Sequence, residues 1–168
     1  MAVNQITAGL IAVKMGAVAV DGGMGTVLTE MGYIRENTLT LVGEKPTKNE
    51  FRAEGVSLPV YVKKTAGPLV IAMTLMSPDP AQLVSVLGGT ITGTAPNRVY
   101  KAPLGVPTII QSVSIEPQDG FSGIDIPKGD LSANINAGFG PDGLFQVEVE
   151  ITALQPDKAG EPPYSIRE

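Results

Sequence analysis

The sequence predicts an all-β domain with one short helix: a sandwich or barrel of antiparallel strands flanked by that helix. Three observations predict it. Short runs of β-branched and apolar residues are separated by 20 glycines and 14 prolines spread along the chain, the punctuation of strands joined by turns. Two runs near the C-terminus alternate apolar and polar residues with the two-residue period of a half-buried strand. A single window carries both start and stop signals of a helix.

The elements follow in chain order. Leu10 to Val20 is small and apolar and breaks at Asp21-Gly22-Gly23. Tyr33 to Val42 reads as a strand. Residues 43–57 are polar and charged, interrupted by Pro46, and read as a long loop, a kind of segment that is often functional in a compact domain. Leu58 to Lys64 and Leu69 to Met76 flank Thr65-Ala66-Gly67-Pro68 and are expected to pair as a hairpin. Leu69 to Met76 is apolar at nearly every position, whereas a half-exposed strand would alternate. Its second face therefore needs a cover, either the following helix or a neighbouring subunit.

The helix is predicted over Asp79 to Leu87. Asp79 can cap it, Pro80 suits its first turn, Gln82 completes a box-like cap, and Gly88-Gly89 ends it. Leu83, Val84, Val86 and Leu87 supply the apolar face. Thr108 to Ile115 is the next strand. Leu131 to Ala137 sets Leu131, Ala133, Ile135 and Ala137 against Ser132, Asn134 and Asn136. Leu144 to Leu154 sets Phe145, Val147, Val149 and Ile151 against Gln146, Glu148, Glu150 and Thr152. The turn Gly140-Pro141-Asp142-Gly143 joins the two into a hairpin with one oily and one polar face. The tail, residues 155–168, contains three prolines and is expected to be extended.

The whole chain, residues 1–168, fits one domain with a sizeable core. No apolar run approaches the roughly 20 residues of a membrane-spanning helix, and no membrane partner is expected. Met1-Ala2-Val3-Asn4-Gln5 lacks the basic and apolar segments of a secretory signal. Cysteine and histidine are absent. Disulfides, thiolate or imidazole metal sites and histidine-based catalysis are thereby excluded. Carboxylates, lysines and tyrosines remain, so an enzyme is disfavoured by composition without being excluded.

The net charge of −5 opposes nucleic-acid capture, which needs a basic surface. Charge is unevenly placed. Residues 43–66 hold Lys45, Lys48, Arg52, Lys63 and Lys64 against Glu44, Glu50 and Glu54, a surplus of +2, which leaves −7 on the remainder. A basic segment on an acidic body suits contact between unlike patches of two copies; chance clustering on a solvated loop is the plainer alternative.

Chemical motifs are weak. Gly22-Gly23-Met24-Gly25-Thr26 lacks the lysine and the helix start of a phosphate loop. Glu148 and Glu150 lie about 6.5–7 Å apart on one strand face, a distance found in some glycosidases. Acids on a solvated strand are commoner, and the chain has no Trp to stack on a sugar. Asp119, Asp125 and Asp130 are too irregularly spaced for a calcium loop. No cofactor and no metal is expected.

In its order of elements the chain resembles the phage major tail tube proteins. The likeness is carried by the strand from Tyr33, the segment Glu44-Lys45-Pro46-Thr47-Lys48-Asn49-Glu50-Phe51 and Glu54-Gly55. It continues through Pro59-Val60-Tyr61-Val62, Gly67 to Leu75 and Asp79-Pro80-Ala81-Gln82-Leu83-Val84 into Gly88-Gly89-Thr90, and returns at Asp142 to Val149. The resemblance implies a β-sandwich or barrel flanked by a helix. It further implies subunits joined into hexameric rings by continuous sheets, with the rings stacked into a hollow tube. DNA would pass through as cargo, and tape measure, terminator or sheath proteins would be partners. The setting would be a virion tail made in a bacterial cytoplasm, or the related tube of a type VI or contractile injection system. A capsid decoration protein, a monomeric ligand-binding sandwich and a carboxylate enzyme stand as alternatives.

Two sets of residues are singled out on this basis. Lys45, Lys48, Phe51, Arg52, Val70, Ala72 and Met76 are expected at a subunit interface. Asn134, Asn136, Gln146, Glu148 and Glu150 are expected on a polar wall, facing either the lumen or the exterior.

Overall fold

A computed structural model describes residue 9 and residues 12–118, 122–141 and 143–167. Leu10, Ile11, the N-terminal Met1-Ala2-Val3-Asn4-Gln5, Asp119 and Asp142 lie outside the described residues. Twelve strands and one helix follow in order: β1 (Ala12–Gly16), β2 (Thr29–Glu30), β3 (Thr40–Gly43), β4 (Thr47–Phe51), β5 (Tyr61–Thr65), β6 (Leu69–Met76), α1 (Pro80–Leu87), β7 (Thr90–Thr92), β8 (Val99–Lys101), β9 (Ile109–Glu116), β10 (Gly123–Ala137), β11 (Phe145–Ala153) and β12 (Ser165–Arg167). The chain is all-β with one short helix, as its turn punctuation predicts.

Eight strands form one antiparallel sheet in the order β2-β1-β9-β10-β11-β6-β3, with β12 on the near part of β10. Two two-stranded ribbons, β4-β5 and β7-β8, stand apart. One face of the large sheet supplies the core: Val13 and Met15 from β1, Val113 and Ile115 from β9, Ile126 and Leu131 from β10, Val147, Val149 and Ile151 from β11, and Ile71, Met73 and Leu75 from β6. Seven strands side by side would span about 29 Å, whereas the eight residues of α1 are only about 12 Å long. The helix packs chiefly against β10, β9 and the β7-β8 ribbon. Near-zero exposure of Ile71, Leu75 and Ile151 therefore needs more cover than the helix gives, and Met31, Ile34 and Leu39 from the connecting segments pack on the same core.

Local chemistry explains the helix and the bend. Asp79 Oδ1 accepts a hydrogen bond from Gln82 N at 2.8 Å, and Gln82 Oε1 accepts one from Asp79 N at 2.9 Å. This reciprocal box satisfies two orphan donors. Leu83 and Val86 are buried, and Gly88, at φ 73°, ends the helix in a conformation that a β-carbon would strain. On β10 the register with β9 shifts between Ile126 and Gly129, around Pro127. Such a bulge bends the strand. Gly129 fits there because a β-carbon would come within 2.7 Å of Ile151 Cγ2.

Several expectations are corrected. Tyr33 to Val42 is not one strand: Ile34 makes an isolated bridge to Leu75, Glu36 and Asn37 turn, and pairing resumes only at Thr40. Asn37 holds a left-handed φ of 60°, which asparagine tolerates and an extended strand does not. Residues 43–57 are not simply a long loop, since they contain β4. Leu58 to Lys64 does not pair with Leu69 to Met76: β5 pairs with β4, and β6 lies between β3 and β11. Strand β10 begins at Gly123, eight residues before its alternating part, and the β7-β8 ribbon was not expected. Gly143 N donates to Gly140 O at 2.9 Å, so the turn between β10 and β11 forms where the sequence places it.

Candidate interaction surfaces

The β4-β5 ribbon is an arm. Its ten residues are all exposed, and the two strands pack on each other without comparable contact to any other element. It grows out of the β3-β6 edge pair: Glu44 N donates to Pro68 O at 3.0 Å across its root. Cross-strand partners are Lys48 with Lys64, Asn49 with Lys63, Glu50 with Val62 and Phe51 with Tyr61. Partners in an antiparallel ladder share a face, so Lys48, Lys64, Glu50 and Val62 lie on one side and Phe51, Tyr61, Asn49 and Lys63 on the other. The Phe51 and Tyr61 rings sit 5.8 Å apart, tilted by 37°, and both remain more than half exposed. Val56, Leu58 and Val60 in the connecting tip are exposed as well.

Charge separates the arm from the body. Lys14 pairs with Glu116, Arg98 with Asp79, Lys128 with Asp157, Lys158 with Asp21 and Arg167 with Asp125. Arg35 donates to Gln146 Oε1 at 3.1 Å. On the arm only Arg52 finds an acid, Glu50 at 3.2 Å. Lys45, Lys48, Lys63 and Lys64 have no carboxylate within ion-pair distance among the described residues. Lys48 and Lys64 stand directly opposite each other, an arrangement that destabilises a lone hairpin.

The second surface is the outer face of β6, β11 and β10. Register places Ala72, Glu150 and Ser132 in one row, Thr74, Glu148 and Asn134 in the next, and Met76, Gln146 and Asn136 in a third. The expected wall residues Asn134, Asn136, Gln146, Glu148 and Glu150 are thus brought together on one continuous face. Asn136 Nδ2 donates to Glu148 Oε1 at 2.9 Å. Val70, Ala72 and Met76 point to this same face and are half-buried, so they adjoin the wall residues instead of the arm. The two expected groups therefore divide differently: Lys45, Lys48, Phe51 and Arg52 belong to the arm or its root, while the three β6 residues belong to the wall.

Lys63 and Lys64, which the sequence shows only as charge, and Tyr61, named only within the family resemblance, join the arm through the β4-β5 pairing.

Three further features are largely apolar. Strand β3 ends the sheet with Thr40, Leu41, Val42 and Gly43, all exposed and carrying neither charge nor proline, the devices that usually blunt an edge. At the far ends of β6 and β11, Tyr33 and Phe139 project almost fully into solvent. A cleft of about 260 Å³ beside α1, lined by Val86, Leu87, Tyr100, Ile109, Leu131 and Ile135, has no charged side chain on its wall. Burial pushes the Tyr100 phenol above its ordinary 10.0, which makes it a poorer base at neutral pH. No group of three or more Asp or Glu able to hold a metal occurs among the described residues, and no helix among them is long and apolar enough to cross a membrane.

Comparison with protein-family models and with curated proteins finds no match. The chain is an all-β protein with a projecting basic arm.

Proposed function

We propose that the protein is a structural subunit that assembles with copies of itself into stacked rings enclosing a hollow tube, of the kind that forms a phage tail. The observation that carries this reading is the arm: four lysines without acids and a set of exposed apolar side chains, held out from a body with net charge −7. A two-stranded ribbon alone is marginal in water, and a partner of opposite charge supplies what it lacks. The acidic body of a second copy is that partner.

Geometry supports the arrangement. The arm leaves β6 at Leu69, while Tyr33 and Phe139 lie near its Met76 end. Unlike contact surfaces at opposite ends make a head-to-tail interface, which closes into rings or propagates into filaments. The unprotected edge at β3 suits sheet pairing between neighbours within a ring. The outer face of β6, β11 and β10 is the wall that passing DNA meets, and Glu148 and Glu150 make it a surface that repels phosphate. The function is mechanical, with no turnover and no cofactor.

Replacing Lys45, Lys48, Lys63 and Lys64 with glutamate tests the reading. The variant is expected to keep the circular dichroism and thermal transition of the body and to form no rings or tubes by negative-stain microscopy. Normal tubes from this variant would remove the arm from the interface.

A further inference from the structure

We propose that the C-terminal strand β12 is exchanged between subunits: on assembly it leaves its own β10 and takes the same position on β10 of a second copy. The inference rests on the self-assembly reading and adds to it a second, independent joint.

Residues 155–167 form a strap across the part of the sheet not covered by the wall rows. Among the described residues beyond 155, Pro156 alone is buried, and all three residues of β12 are exposed. Apolar burial therefore does little to hold the strap. Its backbone ladder with β10 and its charges hold it instead. Of the seven ion pairs among the described residues, four involve this segment: Asp157 with Lys128, Lys158 with Asp21 and with Glu161, and Arg167 with Asp125. The Lys158–Asp21 pair is about half exposed on both sides and contributes little, and the Lys158–Glu161 pair lies within the strap and moves with it; the Arg167–Asp125 pair is the costly one to leave.

The socket is different from the strap. Asp125 keeps only 16% of its side-chain exposure with Arg167 in place. Its Oδ1 accepts from Ser114 Oγ at 2.7 Å, and Ser114 Oγ accepts in turn from Arg167 Nη2 at 2.9 Å. Ser114 itself is buried. Removal of Arg167 would leave a partly buried carboxylate without its cation, which is costly. The socket therefore stays filled, and an identical strand from a sibling fills it with the same bonds. Exchange conserves every contact, whereas simple release forfeits the clasp. Such exchange of identical elements is a low-cost route to association.

The strap has slack: from Pro156 to β12 run residues 157–164, which span up to about 26 Å when extended. Gly160 at φ 80°, Pro162 and Pro163 interrupt the segment, and its one internal backbone bond runs from Glu161 N to Lys158 O.

The absence of native cysteine makes the test clean. Ile124 and Ile166 are direct cross-strand partners, at a separation that suits a disulfide. Two single-cysteine chains, Ile124→Cys and Ile166→Cys, one carrying a mass tag, would be mixed, assembled and oxidised. The expected result is a mixed disulfide dimer in the tube fraction and none in the same mixture kept monomeric. Tubes without that dimer would overturn the exchange and leave the self-assembly reading intact. As a second arm, the chain with both substitutions, oxidised before assembly, is expected to remain monomeric and to assemble after reduction; normal assembly of the locked chain would also overturn the exchange. If the unaltered chain forms no assembly at all, the self-assembly reading itself fails and the exchange fails with it.

Discussion

The arm and the body use the same antiparallel ladder toward opposite ends. In the body, β6 is flanked on both sides by strands and buries Ile71, Met73 and Leu75 in the core. In the arm, β4 and β5 have only each other, and Phe51 and Tyr61 meet on an open face. Among the described residues the body's cations, with Lys101 as the exception, pair with acids or a polar side chain, while the arm's Lys45, Lys48, Lys63 and Lys64 meet no carboxylate. Backbone pairing sets shape, but coverage decides what a strand is for: a covered strand makes the fold, and an uncovered one offers contact.

That contrast can be broken by substitution. Leu75→Ala removes a fully buried side chain and is expected to destabilise the body by about 2–5 kcal/mol, read by denaturant unfolding. A loss below about 1 kcal/mol would mean that the core is looser than its burial indicates. Asp79→Ala deletes the carboxylate of the capping box and should cost about 1 kcal/mol. The four-lysine reversal on the arm should shift unfolding by less than about 0.5 kcal/mol, as for surface changes elsewhere, while assembly is lost. Equal stability losses at Leu75 and on the arm would erase the distinction between the two regions.

The smallest effect concerns the strap. Lys158 beside Asp21, helped by the Gly23 amide, holds the Asp21 carboxyl below its usual 3.8, and the Asp21 carboxylate raises Lys158 above its usual 10.5. A lowered acid contributes fully above 3.8 and loses its contribution as pH falls through its lowered value. A raised lysine contributes fully below 10.5 and loses its contribution as pH rises through its raised value. Protease sensitivity of residues 155–167 should therefore stay flat from mildly acidic to mildly basic pH and rise only beyond those limits. A step near neutrality would contradict the ionic account of the strap.

Much of this was legible in the sequence where one residue type has one use. Asp79-Pro80 with Gln82, followed by Gly88, defines the helix, and the alternation around Gly140-Pro141 defines the β10-β11 hairpin. The continuous apolar run of β6 predicts a strand whose two faces both need cover; the outer one, with Val70, Ala72 and Met76, is half-buried, and α1 packs chiefly elsewhere. Other features depend on which strand is adjacent to which. Thr65-Ala66-Gly67-Pro68 looks like a hairpin turn, yet it is one side of the arm's root, where Pro68 O accepts from Glu44 N. Strand β4 carries no core face, so its Thr-Lys-Asn-Glu pattern reads locally as loop, while the stretch around β5 reads as a strand whose partner is β4 and not β6. Pro127 and Gly129 look like strand breakers, but a bulge absorbs both. The wall was legible as a polar alternation on two strands. Its continuation onto Ala72, Thr74 and Met76 required the register with β11.

Electron microscopy of the unaltered, purified protein across a range of concentrations tests the central claim most directly. Rings that stack into hollow tubes, with the β4-β5 arm in density against a neighbouring subunit, are the predicted result. A monodisperse single-chain particle at the highest concentration, with the arm in solvent and the outer edge of β3 free, would contradict it.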